Sequence, residues 1–293
     1  MNGQLHWHVI GAVILAGASM AYGGQPTFRV GCLEYSGHTG LKDSDEKMEV
    51  LYEGLNIALA AQTKAGTPVD LIVTGEFPTF MGSEDGMANM AQAIPGPRTD
   101  RLAGIAAKHN VWLVADLLES DADGGQPRVY NAAVVFDRTG KLAAKYRKVR
   151  LSPREIERGM RAGTDSMVVD TEFGPVVPIV CWEVQFADYI SQVMAAAHRR
   201  GRKPRVIVHP TAGEFAKELP QIAREYGVYI ASAAWDGPSR VIGPDGTILD
   251  EQLYKGGKAS EMKLAVADVL RASPSPATQP AATQTSGAVG PGR

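Results

Sequence analysis

The chain has 293 residues, enough for one large α/β domain or two small ones. Its 44% hydrophobic and 21% charged content suits a globular protein, and a formal net charge of -2 gives no electrostatic ground for nucleic acid or an anionic membrane as partner. Two cysteines, Cys32 and Cys181, make no disulfide framework.

In chain order, residues 9–21 form an unbroken run of small and apolar side chains, closer in length to a signal-peptide core than to a bilayer span. Ser19 and Ala21 supply the small residues that cleavage needs, although 1–8 hold no Lys or Arg. The expectation is a cleaved export signal at 1–24, which makes the protein periplasmic or secreted. The alternatives are a mis-assigned start upstream of Met20, which leaves it cytoplasmic, and an uncleaved anchor. A strand follows at 28–33, where Cys32 reads as a small buried hydrophobe and not as half of a bridge to Cys181. Met48, Leu51, Leu55, Ala58 and Leu59 share one face of a helix over 43–62, opened by Asp43 with Glu46 three residues on and stopped near Gly66.

Short β-branched runs predict strands at 69–73, 111–115, 132–136, 176–180, 206–208, 228–231 and 263–267. Helical patterns at 99–109 and 187–200 separate them, the second ending in His198-Arg199-Arg200-Gly201, where cations and glycine suit a helix C-terminus. Pro220 marks a break or a first turn before 221–226, and Pro244-Asp245-Gly246 turns a hairpin over 240–249. Residues 272–293 are almost all Pro, Ala, Thr, Ser, Gln and Gly, and lack the apolar side chains that would offset the entropy of ordering; a disordered tail is expected. One α/β sandwich domain over 25–271 remains.

Two predicted strands end in reactive groups. Leu71-Ile-Val-Thr-Gly-Glu76 runs into a carboxylate, and Pro178-Ile-Val-Cys181-Trp-Glu183 runs into a thiol just before a helix. Ligands of open α/β sheets bind at that carboxyl edge, and a helix N-terminus favours thiolate. In such a pair the carboxylate serves as base, and a lysine in the basic run 145–150 can steady an oxyanion. Taken one at a time, a strand-end Glu, a Lys in a basic run and a strand Cys read as solvated cap, solvated face and core. A Cys–His pair using His209 and a metal site built on the scattered histidines are both disfavoured.

The ordered set of segments over about 28–270 resembles the nitrilase, or carbon–nitrogen hydrolase, superfamily. Residues 69–77 resemble its strand ending in the catalytic Glu; Ile94-Pro-Gly-Pro with 102–114 and Tyr130-Asn131 through Leu151 resemble its next strands and the hairpin carrying the catalytic Lys. Residues 170–183 match its nucleophile segment, 223–229 its following helix-to-strand turn, and Gly237-Pro-Ser239 with Pro244-Asp-Gly246 its late hairpin. The resemblance implies a four-layer α-β-β-α sandwich with a Glu76, Lys148 and Cys181 triad. Lys148 is preferred to Lys145 because the family's Lys precedes a hydrophobic-x-Leu step, here Val149-Arg150-Leu151. A second Glu is expected at Glu155, with Glu157 the alternate. The Trp182 N–H is expected to help hold the oxyanion, with Glu183 on the substrate side and His209 as pocket lining or a structural hydrogen-bonder. No metal or organic cofactor is implied; the partners are a small amide or nitrile and further copies of the chain in a homodimer or larger homo-oligomer, without stable membrane insertion.

Trp182-Glu183 matches true nitrilases, whereas Val184-Gln185-Phe186 resembles the amidase-like branches. The stretch 209–224 is short and lacks the usual Arg-Ala and Glu-Asn pairs. Amide is therefore favoured over nitrile, with an N-acyltransferase or a catalytically silent binding protein on the same scaffold as rivals.

Overall fold

A computed structural model of the chain describes residues 27–35, 40–78, 86–122, 127–199, 203–253 and 258–271. The expected export segment and C-terminal tail lie outside them. Continuous apolar runs with both faces covered become central strands. The first sheet takes β1 (Thr27–Glu34), β2 (Leu71–Val73), β3 (Trp112–Asp121), β4 (Arg128–Phe136), β5 (Leu142–Arg147) and β12 (Lys263–Leu270), in the order β12-β1-β2-β3-β4-β5. The second takes β6 (Val169–Thr171), β7 (Gly174–Pro178), β8 (Val206–Thr211), β9 (Tyr229–Ala234), β10 (Ser239–Ile242) and β11 (Ile248–Gln252), in the order β11-β10-β9-β8-β7-β6. Both sheets are mixed: β1-β2-β3 and β7-β8-β9 pair in parallel, and their outer neighbours pair antiparallel.

The two-residue period of a strand sorts the side chains into layers. Leu71 and Val73 of β2, with Val206 and Val208 of β8, enter the core between the sheets, beside Phe28, Val114 and Val176. Ile72 instead meets α1 (Ser44–Lys64) and α3 (Pro97–His109) on the outer side of the first sheet. Ile207 meets α5 (Ala187–Arg199) and α6 (Glu218–Tyr226) on the outer side of the second. The result is the four-layer α-β-β-α sandwich expected above. Each fully buried Leu, Val or Ile contributes about 1.5–3 kcal/mol relative to exposure.

Local signals account for the helix ends. Asp43 caps α1, its side chain accepting from the N–H of Asp45 and of Glu46, both at 2.9 Å. Pro97 opens α3 and left-handed Asn110 closes it. Pro220 falls in the first turn of α6, where its missing N–H is harmless. Two shorter helices, α2 (Met87–Met90) and α4 (Pro153–Glu157), lie near the carboxyl ends of the first sheet's central strands. No helix among the described residues is long and apolar enough to cross a membrane.

Two strands outrun their apolar runs. β3 continues to Asp121 and β4 begins at Arg128, because Asp116, Glu119 and Asn131 are buried there with specific partners. Hydropathy alone stops a strand at such residues.

Candidate active site

The chain leaves β2 through Thr74-Gly75-Glu76, where the sheets approach closely. The Glu76 N–H donates to the Thr211 carbonyl at 3.2 Å, and a Cβ on Gly75 would meet the Trp235 ring at 3.3 Å. Lys148 follows β5, its N–H donating to the Asn131 carbonyl at 2.8 Å. It is 1% exposed. Its ammonium donates to Glu76 Oε1 at 2.8 Å and to Glu155 Oε1 at 3.0 Å. Glu155 occupies the third position of α4 and completes a reciprocal cap with Ser152, accepting that residue's N–H at 2.7 Å. The Asn131 amide donates to Glu76 Oε1 and Glu155 Oε1, both at 2.8 Å. One cation and one amide thus hold two buried carboxylates in a fixed relation.

Cys181 arrives from the other sheet, at the end of the β7 segment. Its φ of 47° is left-handed, a conformation that a non-glycine residue keeps only where the surroundings impose it, at a cost of about 1–3 kcal/mol. The thiol is half-buried, and the charges of Glu76 and Lys148 both act on it. His209 Nε2 lies 3.2 Å from the Cys181 carbonyl, and its Nδ1 lies 2.9 Å from Ser232 Oγ. Glu183 fixes the turn from below: Oε2 accepts from the Val180 N–H at 2.8 Å, and Oε1 from Val149 N–H at 2.8 Å, Arg150 N–H at 3.1 Å and the Tyr146 hydroxyl at 2.6 Å. One side chain therefore ties the Cys181 turn to the residues just after Lys148.

The protonation states follow from burial and charge. Burial, followed by the Glu76 charge, pushes the Cys181 thiol up to about 12 although Lys148 opposes the shift. Burial works against the Lys148 ammonium, but Glu76, Cys181 and Glu155 together raise it above the ordinary lysine value. Burial works against the Glu155 carboxylate too, yet Lys148 and the Asn131 amide hold it below the usual range. Burial lowers His209 to about 4, so the ring is neutral at pH 7.

Glu76, Lys148, Glu155 and Cys181 come together at one point. Trp182 stands beside them, 37% exposed. Glu183, expected on the substrate side, has both oxygens bonded to protein groups, and His209 hydrogen-bonds structurally, its Nε2 facing the Cys181 carbonyl and its Nδ1 Ser232. The expected activation of the thiol by a helix N-terminus also fails. A five-residue 3-10 turn, Cys181–Gln185, intervenes before α5, and the resting group is a thiol. Lys145 pairs with Glu119 away from this cluster.

Asn131 and Asp116 carry structural weight that the sequence reading missed. Asp116 accepts the Phe77 N–H at 2.8 Å, just after Glu76, and burial, followed by the Glu76 charge, raises its carboxyl well above the ordinary range. The available signal was a polar residue inside each buried strand. Among the described residues no group of three or more His, Cys, Asp and Glu is arranged to hold a metal ion.

The carbon–nitrogen hydrolase family model matches residues 46–279. A bifunctional nitrilase/nitrile hydratase of Nicotiana tabacum is 31% identical over 163 residues, 53% of this chain and 43% of that protein. A human omega-amidase is 28% identical over 185 residues, 54% of this chain and 63% of that one. The chain thus spans less than two thirds of the length of these relatives. Among solved structures, an amidase from Nesterenkonia sp. superimposes with a TM-score of 0.64 at 21% identity, over 83% of this chain and 90% of that one. Saccharomyces cerevisiae Nit3 gives 0.66 at 19%, over 84% and 90%. The family match covers most of the sandwich, and the solved structures share its architecture; the chain belongs to the carbon–nitrogen hydrolase family.

Proposed function

We propose that the protein hydrolyses a small non-peptide amide through a thioester on Cys181, with Glu76 as general base and acid and Lys148 as the fixed cation. The observation that carries this reading is the buried Lys148 ammonium bonded to both Glu76 and Glu155, with the Cys181 thiol near enough for the Glu76 and Lys148 charges to act on it.

A thiol raised to about 12 cannot wait as thiolate at neutral pH, so its proton leaves as the sulfur attacks. Glu76 takes that proton while Cys181 Sγ bonds to the carbonyl carbon. The carbonyl π pair moves onto oxygen, where Lys148 and the Trp182 N–H stabilise it; removing one such donor typically costs about 10²–10³-fold in rate. As the tetrahedral species collapses, the C–N bond breaks and Glu76 protonates the departing nitrogen. Water then attacks the thioester, giving its proton to Glu76. The C–S bond breaks, the carboxylic acid departs, and the thiol regains its proton. Glu155 and Asn131 hold Glu76 and Lys148 in place throughout.

An amide substrate in preference to a nitrile is supported by the amidases among its relatives. One Nesterenkonia amidase structure carries acrylamide added at its active-site cysteine. The test is ammonia release across a panel of aliphatic amides and nitriles. Amides are expected to be turned over, and Cys181→Ala to abolish release with an unchanged circular dichroism spectrum. Release unaffected by that substitution sinks the mechanism. Transfer of the acyl group to added hydroxylamine in preference to water indicates a transferase. Silence on the whole panel, with Cys181 unreactive toward iodoacetamide, indicates a binding protein.

A further inference from the structure

Four buried side-chain polar atoms have no hydrogen-bond partner among the described residues, and two of them are acceptors: Asp116 Oδ2 and Asn131 Oδ1. Both residues are fully buried. They also flank the same group. Asn131 donates to the Glu76 carboxylate, and Asp116 Oδ1 accepts the N–H that follows Glu76. In the antiparallel β3–β4 ladder Asp116 stands opposite Ala133 and Leu118 opposite Asn131, which makes Asp116 and Asn131 diagonal neighbours on one face. An unmet buried acceptor is destabilising, and an unpaired buried charge more so.

One proton answers both oxygens. A protonated carboxyl is a donor, whereas a carboxylate only accepts. The charges facing Asp116 are Glu76, Lys148 and Glu155: one cation that already serves two carboxylates. A third anion there would have no counter-ion of its own. We propose that Asp116 is a positioning residue for the base, carried as the uncharged acid, with its Oδ2 hydroxyl donating to Asn131 Oδ1. The Asn131 amide is then fixed in one orientation, its NH2 group turned to Glu76 and Glu155 and its oxygen to Asp116. Burial, which raises the Asp116 carboxyl, acts in the same direction.

This inference rests on Glu76 acting as base, but its first test does not. An infrared difference spectrum, wild type minus Asp116→Asn at pH 7, is expected to show the carbonyl stretch of a protonated carboxylic acid. Absence of that band overturns the proposal whether or not the protein is an amidase. The second test compares two substitutions. In Asp116→Asn the side-chain amide replaces the hydroxyl as donor to Asn131, while Asp116→Val removes the donor. The Val variant is expected to lose at least about tenfold in kcat with KM within about twofold, and Asn to restore most of that loss. Thermal melts and circular dichroism establish that both are folded. If folded Asn and Val variants are equally impaired, or if neither is, the positioning role is refuted. If the Val variant does not fold, the infrared band and the kcat of the Asn variant, expected well above one tenth of wild type, carry the test.

Discussion

The two sheets hold their shares of the site by different means. The first sheet contributes charge: Glu76, Lys148 and Glu155, all buried and tied by an ammonium and the Asn131 amide within 2.8–3.0 Å. The second contributes a neutral thiol on a left-handed turn, braced by Glu183 through three backbone N–H groups and a tyrosine hydroxyl, and by His209 at its carbonyl. Charged groups need fixed partners, because a buried ion without one costs several kcal/mol. A nucleophile needs a fixed backbone, since a shift of about 1 Å can cost about 10²-fold in rate. Glu76 and Lys148 are thus set by electrostatics, and the thiol by chain geometry.

Breaking the charged half should do most damage. Lys148→Met leaves Glu76 and Glu155 facing each other without a cation. Turnover is expected to fall by about 10³-fold, with about 3–5 kcal/mol lost from stability in urea titration. Unchanged stability would mean that the two carboxylates need no counter-ion.

Breaking the braced half comes next. Glu183→Ala strands three N–H groups and leaves the Tyr146 hydroxyl to Tyr189 alone; activity is expected to drop about 10²-fold, and Cys181 alkylation by iodoacetamide to change in rate. A variant with wild-type kcat would show that Glu183 does not set the nucleophile turn.

The His209 brace sharpens the contrast through pH. Its folded value of about 4 lies below the unfolded one, so the unfolded chain binds a proton first as pH falls. The favourable contribution of this group is complete above about pH 6.5 and is lost between there and about pH 4, by on the order of 3 kcal/mol. Urea midpoints for His209→Gln should depend less on pH across that window than those of wild type; parallel curves would exclude the group. Smallest of all, Asp43→Ala removes a helix cap remote from both halves, and is expected to cost about 1 kcal/mol with kcat unchanged.

Much of this was visible beforehand. The apolar periodicity marked the central strands β2, β7, β8 and β9 and helices α1, α3 and α5, because burial on a defined face leaves a defined spacing. Glu76 and Cys181 stood out by their place at strand ends, although each alone reads as a solvated cap or a core side chain and the family pattern was needed to raise them. Lys148 did not stand out, since one lysine in the run Lys145-Tyr146-Arg147-Lys148 differs from another only by the face of β5 and its exit, and the family pattern was needed to choose it. Asp116 and Asn131 were hidden for a related reason. A polar residue in a strand reads as a place where the strand stops, unless its buried partners are known.

The sequence by itself determined the central strands and the long helices and which faces they bury, because hydrophobic spacing is a local property. It also determined the reactive groups available and, through the ordered motifs, the family. Only the tertiary structure decided that Glu183 and His209 hydrogen-bond around the Cys181 turn, that burial raises the thiol, and that Asp116 accepts the N–H just after Glu76. Those outcomes depend on which donors and charges come within about 3 Å across two sheets, and no spacing along one strand encodes that distance.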